Sequence, residues 1–128
     1  MTRKINHEKP IHANRMYYRF WEHEVWDDST TPLVPVYCNV VDGCDLTVAV
    51  GNMEYCTGVE DKNGEPIFEG DWVRIEDSIY IYEYEVRWNH DRACFELYDL
   101  GSGLTDLLEE NDYLELVVFG NKHQKADK

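Results

Sequence analysis

The chain has no run approaching the roughly 20 apolar residues of a membrane span. Its opening stretch, Met1 to His12, has no apolar segment of the kind a secretory signal carries. Both absences predict a cytoplasmic protein with no membrane partner, whose cysteines, Cys38, Cys44, Cys56 and Cys94, are reduced thiols. There is no Cys-x-x-Cys pair, and His7, His12, His23, His90 and His123 are scattered without ligand spacing, so no metal is expected. Serine is scarce, and neither a Gly-x-Ser-x-Gly elbow nor a Gly-rich phosphate loop after a strand is present. The chain therefore offers no catalytic residue and no cofactor site, and it reads as something other than an enzyme. Positive charge is also short: 12 Lys and Arg face 26 Asp and Glu, a net charge of −14.

What is present suffices for a core. A chain of 128 residues that is 43% hydrophobic and 13% aromatic fits one domain, or a small domain with an ordered extension. The charge is unevenly placed. Residues 1–19 hold Arg3, Lys4, Lys9, Arg15 and Arg19 against Glu8, a local balance of +4 that leaves −18 on the remainder. That start reads as a flexible basic arm over 1–14, either solvated or docked on acidic surface of a neighbouring subunit or on nucleic acid. The acidic remainder repels phosphate backbones and favours subunit docking.

Along the chain, turn residues separate short extended segments. Arg15 to Trp26 is dense in aromatics and fits a strand with Tyr18, Phe20 and Glu22 on one face and Tyr17, Arg19 and Trp21 on the other. A helix with Tyr17, Phe20, Trp21 and Val25 on one side fits as well. Leu33 to Val41 reads as extended, with Val34, Val36, Cys38 and Val40 sharing a face, and Asp42-Gly43 predicts a hairpin to Leu46–Val50. Asp61 to Gly64 and Glu69 to Asp71 are turns flanking Pro66-Ile67-Phe68, with Ile67 and Phe68 entering the core. Trp72–Ile75 and Ile79–Asn89 read as strands, the latter with Tyr80, Tyr82, Tyr84, Val86 and Trp88 on one face. Ala93–Tyr98 pairs back with Phe95 and Leu97 inward. Leu104–Glu110 is expected to hold a helical turn, and Tyr113–Phe119 is the last strand. Such spacing predicts a mainly β protein with a small barrel, which removes unpaired strand edges.

The stretch from Tyr55 to Val73, with Thr57-Gly58, Asp61-Lys62-Asn63-Gly64 and Ile67-Phe68-Glu69-Gly70-Asp71, resembles the signature of the YopX family of phage and prophage proteins. Arg19-Phe20-Trp21, Val86-Arg87-Trp88 followed by Phe95, and Leu116 to Asn121 resemble further family elements in the same order. The resemblance covers roughly residues 17–122. It implies an SH3-like barrel in the C-terminal half, an extended N-terminal part that helps build an oligomer, a bacterial host cell as location, and no activity.

Four regions follow: a flexible basic arm over 1–14, a β-rich aromatic segment over 15–53, an SH3-like barrel over 54–122 and a polar tail over 123–128. The motif residues Tyr55, Thr57, Gly58, Asp61, Asn63, Gly64, Phe68, Gly70, Asp71 and Val73 are assigned structural roles. Asp61, Glu65, Glu69 and Asp71 resemble a carboxylate cluster, but Asp in such turns bonds nearby backbone. Tyr17, Phe20, Trp21 and Trp26 are the candidate interface. The expected function is that of an interaction or assembly module whose partner is a second copy of itself, or a host or phage protein. The alternative is a nucleic-acid module, binding single strands through the arm and aromatics or mimicking nucleic acid to inhibit a host enzyme.

Overall fold

A computed structural model describes residues 7–24, 28–39, 53–75, 82–108 and 116–124. The fold is mainly β: among the described residues nine strands form two antiparallel sheets and there is no helix. The first sheet has the order β2-β1-β3-β4, from β1 (Tyr17–His23), β2 (Leu33–Asn39), β3 (Glu54–Glu60) and β4 (Pro66–Phe68). The second, curled into a half-barrel, has the order β8-β7-β6-β5-β9. Its strands are β5 (Asp71–Ile75), β6 (Tyr82–Asn89), β7 (Cys94–Asp99), β8 (Thr105–Leu107) and β9 (Leu116–Asn121). Among the described residues no helix is long and apolar enough to cross a membrane.

The aromatic segment is a strand, not a helix. β1 pairs along its whole length with β2, from Tyr17 opposite Asn39 to His23 opposite Leu33. Period-two alternation then serves both faces. Tyr18 and Phe20 pack with Val36 and Cys38 on one side. Tyr17 lies on the other, against Tyr37, Cys56 and Phe68. The half-barrel core is built from Val73, Val86, Phe95, Leu97 and Leu116, and Ile67 of β4 inserts into it from the first sheet. Ile67 and Phe68 are both fully buried, as expected, but neighbouring side chains on a strand point to opposite sides. They serve two different cores.

Three expectations are corrected. Thr105–Leu107 is a strand, where a helical turn was expected in Leu104–Glu110. Asp99 Oδ1 accepts the Gly101 and Ser102 amides, and the Asp99 amide donates to Leu104 O at 2.8 Å, so a tight loop folds β8 back onto β7. Cys38 is disulfide-bonded, while Cys56 and Cys94 are free thiols. Proximity of the two Cβ atoms decides which thiols can join, and composition alone does not report it. Finally, Phe20 is 1% exposed and spent on the chain's own core, so it offers no surface to a partner.

Residues 7–13 lie against the first sheet of the same chain. Lys9 Nζ sits 2.9 Å from Glu65 Oε1 and 3.7 Å from Asp71 Oδ2, His7 Nδ1 is 2.8 Å from Pro35 O, and the Ala13 amide donates to Glu60. The expected Asp42-Gly43 hairpin, the Leu46–Val50 strand, Trp26, Tyr80 and the start of the Tyr113–Phe119 strand lie outside the described residues.

Candidate functional site

Two features stand where the sheets meet: a buried charge cluster and an open cleft. The cluster centres on Arg19, whose position on β1 points its side chain away from Phe20 and toward β3. Arg19 is 2% exposed. Its Nε donates to Glu54 Oε1 at 2.9 Å, Nη1 to Asp71 Oδ1 at 2.7 Å and Nη2 to the Glu69 carbonyl at 2.9 Å. The guanidinium also lies 5.1 Å from the Trp21 ring centroid and 5.0 Å from that of Phe68. A buried charge is tolerated only when paired and hydrogen-bonded, and here all three nitrogens are served. Burial would lower its pKa, but Asp71 and Glu54 outweigh burial and hold it above the ordinary arginine range.

Glu54 is as fully engaged. Oε1 also accepts Trp21 Nε1 at 2.8 Å, and Oε2 faces His123 Nε2 at 2.9 Å. His123 stacks on Trp21, with centroids 4.9 Å apart. Asp71 Oδ2 accepts the Phe68 amide at 2.8 Å. Between these groups Gly70 donates its amide to Val86 O at 2.7 Å and accepts from the Lys122 amide at 3.0 Å. The Glu69-Gly70-Asp71 turn thus holds the first sheet and the half-barrel together.

The other motif residues serve local structure. Asp61 Oδ1 accepts the Asn63 and Glu65 amides, each at 2.9 Å, and Oδ2 accepts the Val118 amide at 2.9 Å, tying the first turn to β9. Gly64 adopts φ +81° in that turn. Thr57 Oγ1 donates to Ile67 O at 2.8 Å. Val73 is fully buried. The carboxylates of Asp61 and Asp71 therefore point into separate hydrogen-bond sets. Among the described residues no three His, Cys, Asp or Glu side chains are placed to hold a metal ion.

The cleft has a volume of about 350 Å³. Met53, just before β3, with Tyr55 and Cys56 of β3 forms one part of its wall, and Trp88 and Phe95 of the half-barrel form another. Trp88 packs edge-on against Phe95 at 4.8 Å. Three polar groups, Arg15, Glu69 and His90, complete the lining. Arg15 Nε donates to Thr57 O at 3.3 Å, and its guanidinium lies 5.8 Å from the Phe95 centroid. A Cβ on Gly58 would come within 2.8 Å of Arg15 Cγ, so the bare backbone of Gly58 is what lets the arginine lie across it. Trp88 Nε1 donates to His90 Nδ1 at 3.1 Å, leaving Nε2 as the protonated nitrogen of the neutral ring. Burial pushes the Glu69 carboxyl above its ordinary pKa, against a backbone hydrogen bond from Tyr55 that lowers it. Burial likewise pushes the Cys56 thiol up, which makes it a poor nucleophile.

Of the candidate interface residues, Tyr17 and Trp21 are half-buried in contacts within the chain, Phe20 is buried, and Trp26 is outside the described residues. Tyr55, assigned only a structural role, is 45% exposed at the mouth of the cleft. Glu54, His123 and the cleft residues Arg15, Trp88 and His90 were not singled out as a site in the sequence. Arg19 carried one usable signal, a charge between Tyr18 and Phe20 in a strand apolar on both sides.

Fold and site together define a class: a small, mainly β protein in which a half-barrel and a four-stranded sheet are locked by a buried arginine. The chain belongs to the YopX family; a family model described as YopX protein matches residues 7–127. No curated protein matches it.

Proposed function

We propose that this protein is a phage or prophage accessory module that works by association, not catalysis, as a homo-oligomer in its bacterial host. One observation carries the reading: the motif aspartates that a catalyst would draw on, with Glu54 beside them, are committed to the fold. Asp61 is saturated by backbone amides, and Asp71 and Glu54 are held by Arg19. Among the described residues, Tyr55 and Leu104 are large apolar side chains exposed to contact. Around it lies a −14 field that selects against polyanions and steers cationic partners.

The test is the mass in solution by light scattering across a concentration series, beside affinity capture from host lysate with and without nuclease. The expected result is a defined oligomer, and a protein partner that survives nuclease and is lost when Tyr55 is changed to alanine. A monomer at every concentration that captures nothing would sink the reading. The second reading, a nucleic-acid-related module, is favoured by one feature, the positioned Arg15 beside the aromatic walls of the cleft.

A further inference from the structure

The cleft combines residues that no single structural role explains. Its volume, about 350 Å³, is near the lower end of the ~300–1,000 Å³ typical of small-molecule sites. That suits one compact ligand and not a stretch of polymer. Its walls are aromatic and come from both sheets, Tyr55 from β3 and Trp88 and Phe95 from β6 and β7. Flat rings bind against such walls by stacking.

The polar groups narrow the choice. Arg15 is donor-only and cationic, and Glu69 when ionised is acceptor-only. A basic peptide has no use for Arg15, and a chain terminus with its carboxylate has no use for Glu69. A nucleotide uses both, because its phosphate needs cations and its base carries N–H donors. Arg15 is also held in place: Thr57 O fixes Nε and bare Gly58 receives its stem. Among the described residues its Nη groups have no hydrogen-bond partner, so the charged end is available.

We infer that the cleft is a site for a nucleoside monophosphate, with the base against Tyr55 and Trp88, the phosphate on Arg15, and the base's N–H edge on Glu69. Guanine is the preferred base, because its N1–H and N2–H₂ are adjacent donors that one carboxylate can accept together. The same field that admits a single phosphate beside Arg15 opposes a strand, since a net charge of −14 repels each further phosphate. The inference goes beyond association and stands apart from it: the oligomer can be present without a nucleotide, and the reverse.

The experiment is calorimetric titration of the full chain with GMP, AMP, guanosine, ribose 5-phosphate and a single-stranded oligonucleotide at fixed low salt. GMP should bind tightest, with guanosine weaker by roughly ten- to a hundredfold, the range of a charge-assisted contact. Arg15→Gln should bring GMP to the level of guanosine while leaving guanosine unchanged. Glu69→Gln should erase the preference for GMP over AMP. Tyr55→Ala, at a position 45% exposed, should weaken both nucleotides by about tenfold. Circular dichroism confirms that each variant is folded. The inference is overturned by any of four results: no nucleotide bound up to ~10 mM, GMP and guanosine indistinguishable, ribose 5-phosphate equal to GMP, or the strand outcompeting the mononucleotide.

Discussion

Replacing Gly70 by alanine tests the charge cluster through its most crowded point. Gly70 adopts φ +88°, where a side chain costs ~1–2 kcal/mol. Its new Cβ would also overlap Glu54 Oε2 and stand 3.0 Å from Glu54 Cδ. A flexible surface glutamate would swing away. Glu54 has little freedom to do so, because Arg19 Nε and Trp21 Nε1 hold one oxygen and His123 the other. Moving it breaks a buried ion pair, a loss of ~3–5 kcal/mol. The two effects together come to about 4–7 kcal/mol, against a total stability of ~5–15 kcal/mol for a domain. Gly64→Ala is the control: its φ is +81° and a Cβ there meets nothing within 4 Å, so only the backbone cost applies. Urea unfolding followed by tryptophan fluorescence gives both values, provided the slopes agree. If the two variants are destabilised equally, to within ~0.5 kcal/mol, Glu54 moves aside freely and is no fixed obstacle.

Arg19→Lys should lose most of what Arg19→Met loses, ~3 kcal/mol or more, because an ammonium cannot serve Glu54, Asp71 and the Glu69 carbonyl in one plane; urea midpoints of the pair decide it. Asp61→Ala leaves the Asn63, Glu65 and Val118 amides without their acceptor and should cost ~1–3 kcal/mol, with faster hydrogen exchange at Val118 than in Asp61→Asn. Glu69 has its folded pKa raised by burial, so the stability it adds is present below its unfolded pKa and is lost as pH rises through the folded one. Wild type should therefore lose stability relative to Glu69→Gln on going from acid to neutral pH, and a constant gap across that range would refute the assignment.

The strands were legible where alternation ran long enough. Val86, Phe95 and Leu97 lie inward as their spacing predicts, and Asp61-to-Gly64 forms the turn its residues favour. The three-residue strand Thr105–Leu107 was not legible, because it is too short to show a period and exists through its pairing with Glu96–Tyr98. Arg19 entered the charge sum over residues 1–19 as one more surface cation, because a local sum of charge does not separate surface from interior. Its partners, Glu54 and Asp71, lie far along the chain and meet it only after β1 pairs with β3. The cleft was hidden for the same reason: Arg15, Tyr55 and Trp88 are neighbours only once both sheets exist.

The turn Glu69-Gly70-Asp71 has consequences for how the molecule opens. Glu69 gives its carbonyl to Arg19, and its amide donates to Tyr55 O at 2.9 Å. Gly70 binds β6 and Lys122, just past β9, through its own backbone, and Asp71 begins β5 while holding Arg19. No part of this turn belongs to one sheet alone. Loosening either sheet would expose Arg19 and leave its carboxylate partners buried and unpaired, which is the costly state for buried ions. The two sheets should therefore open together. Native-state hydrogen exchange should give amides of Phe20 and Val86 the same opening free energy and the same denaturant dependence. In Arg19→Met the coupling is gone, and the Phe20 amide should exchange through a smaller, separate opening while Val86 keeps the global one. Distinct opening energies in the wild-type protein would mean that the buried arginine fills space at the joint without binding the halves into one cooperative unit.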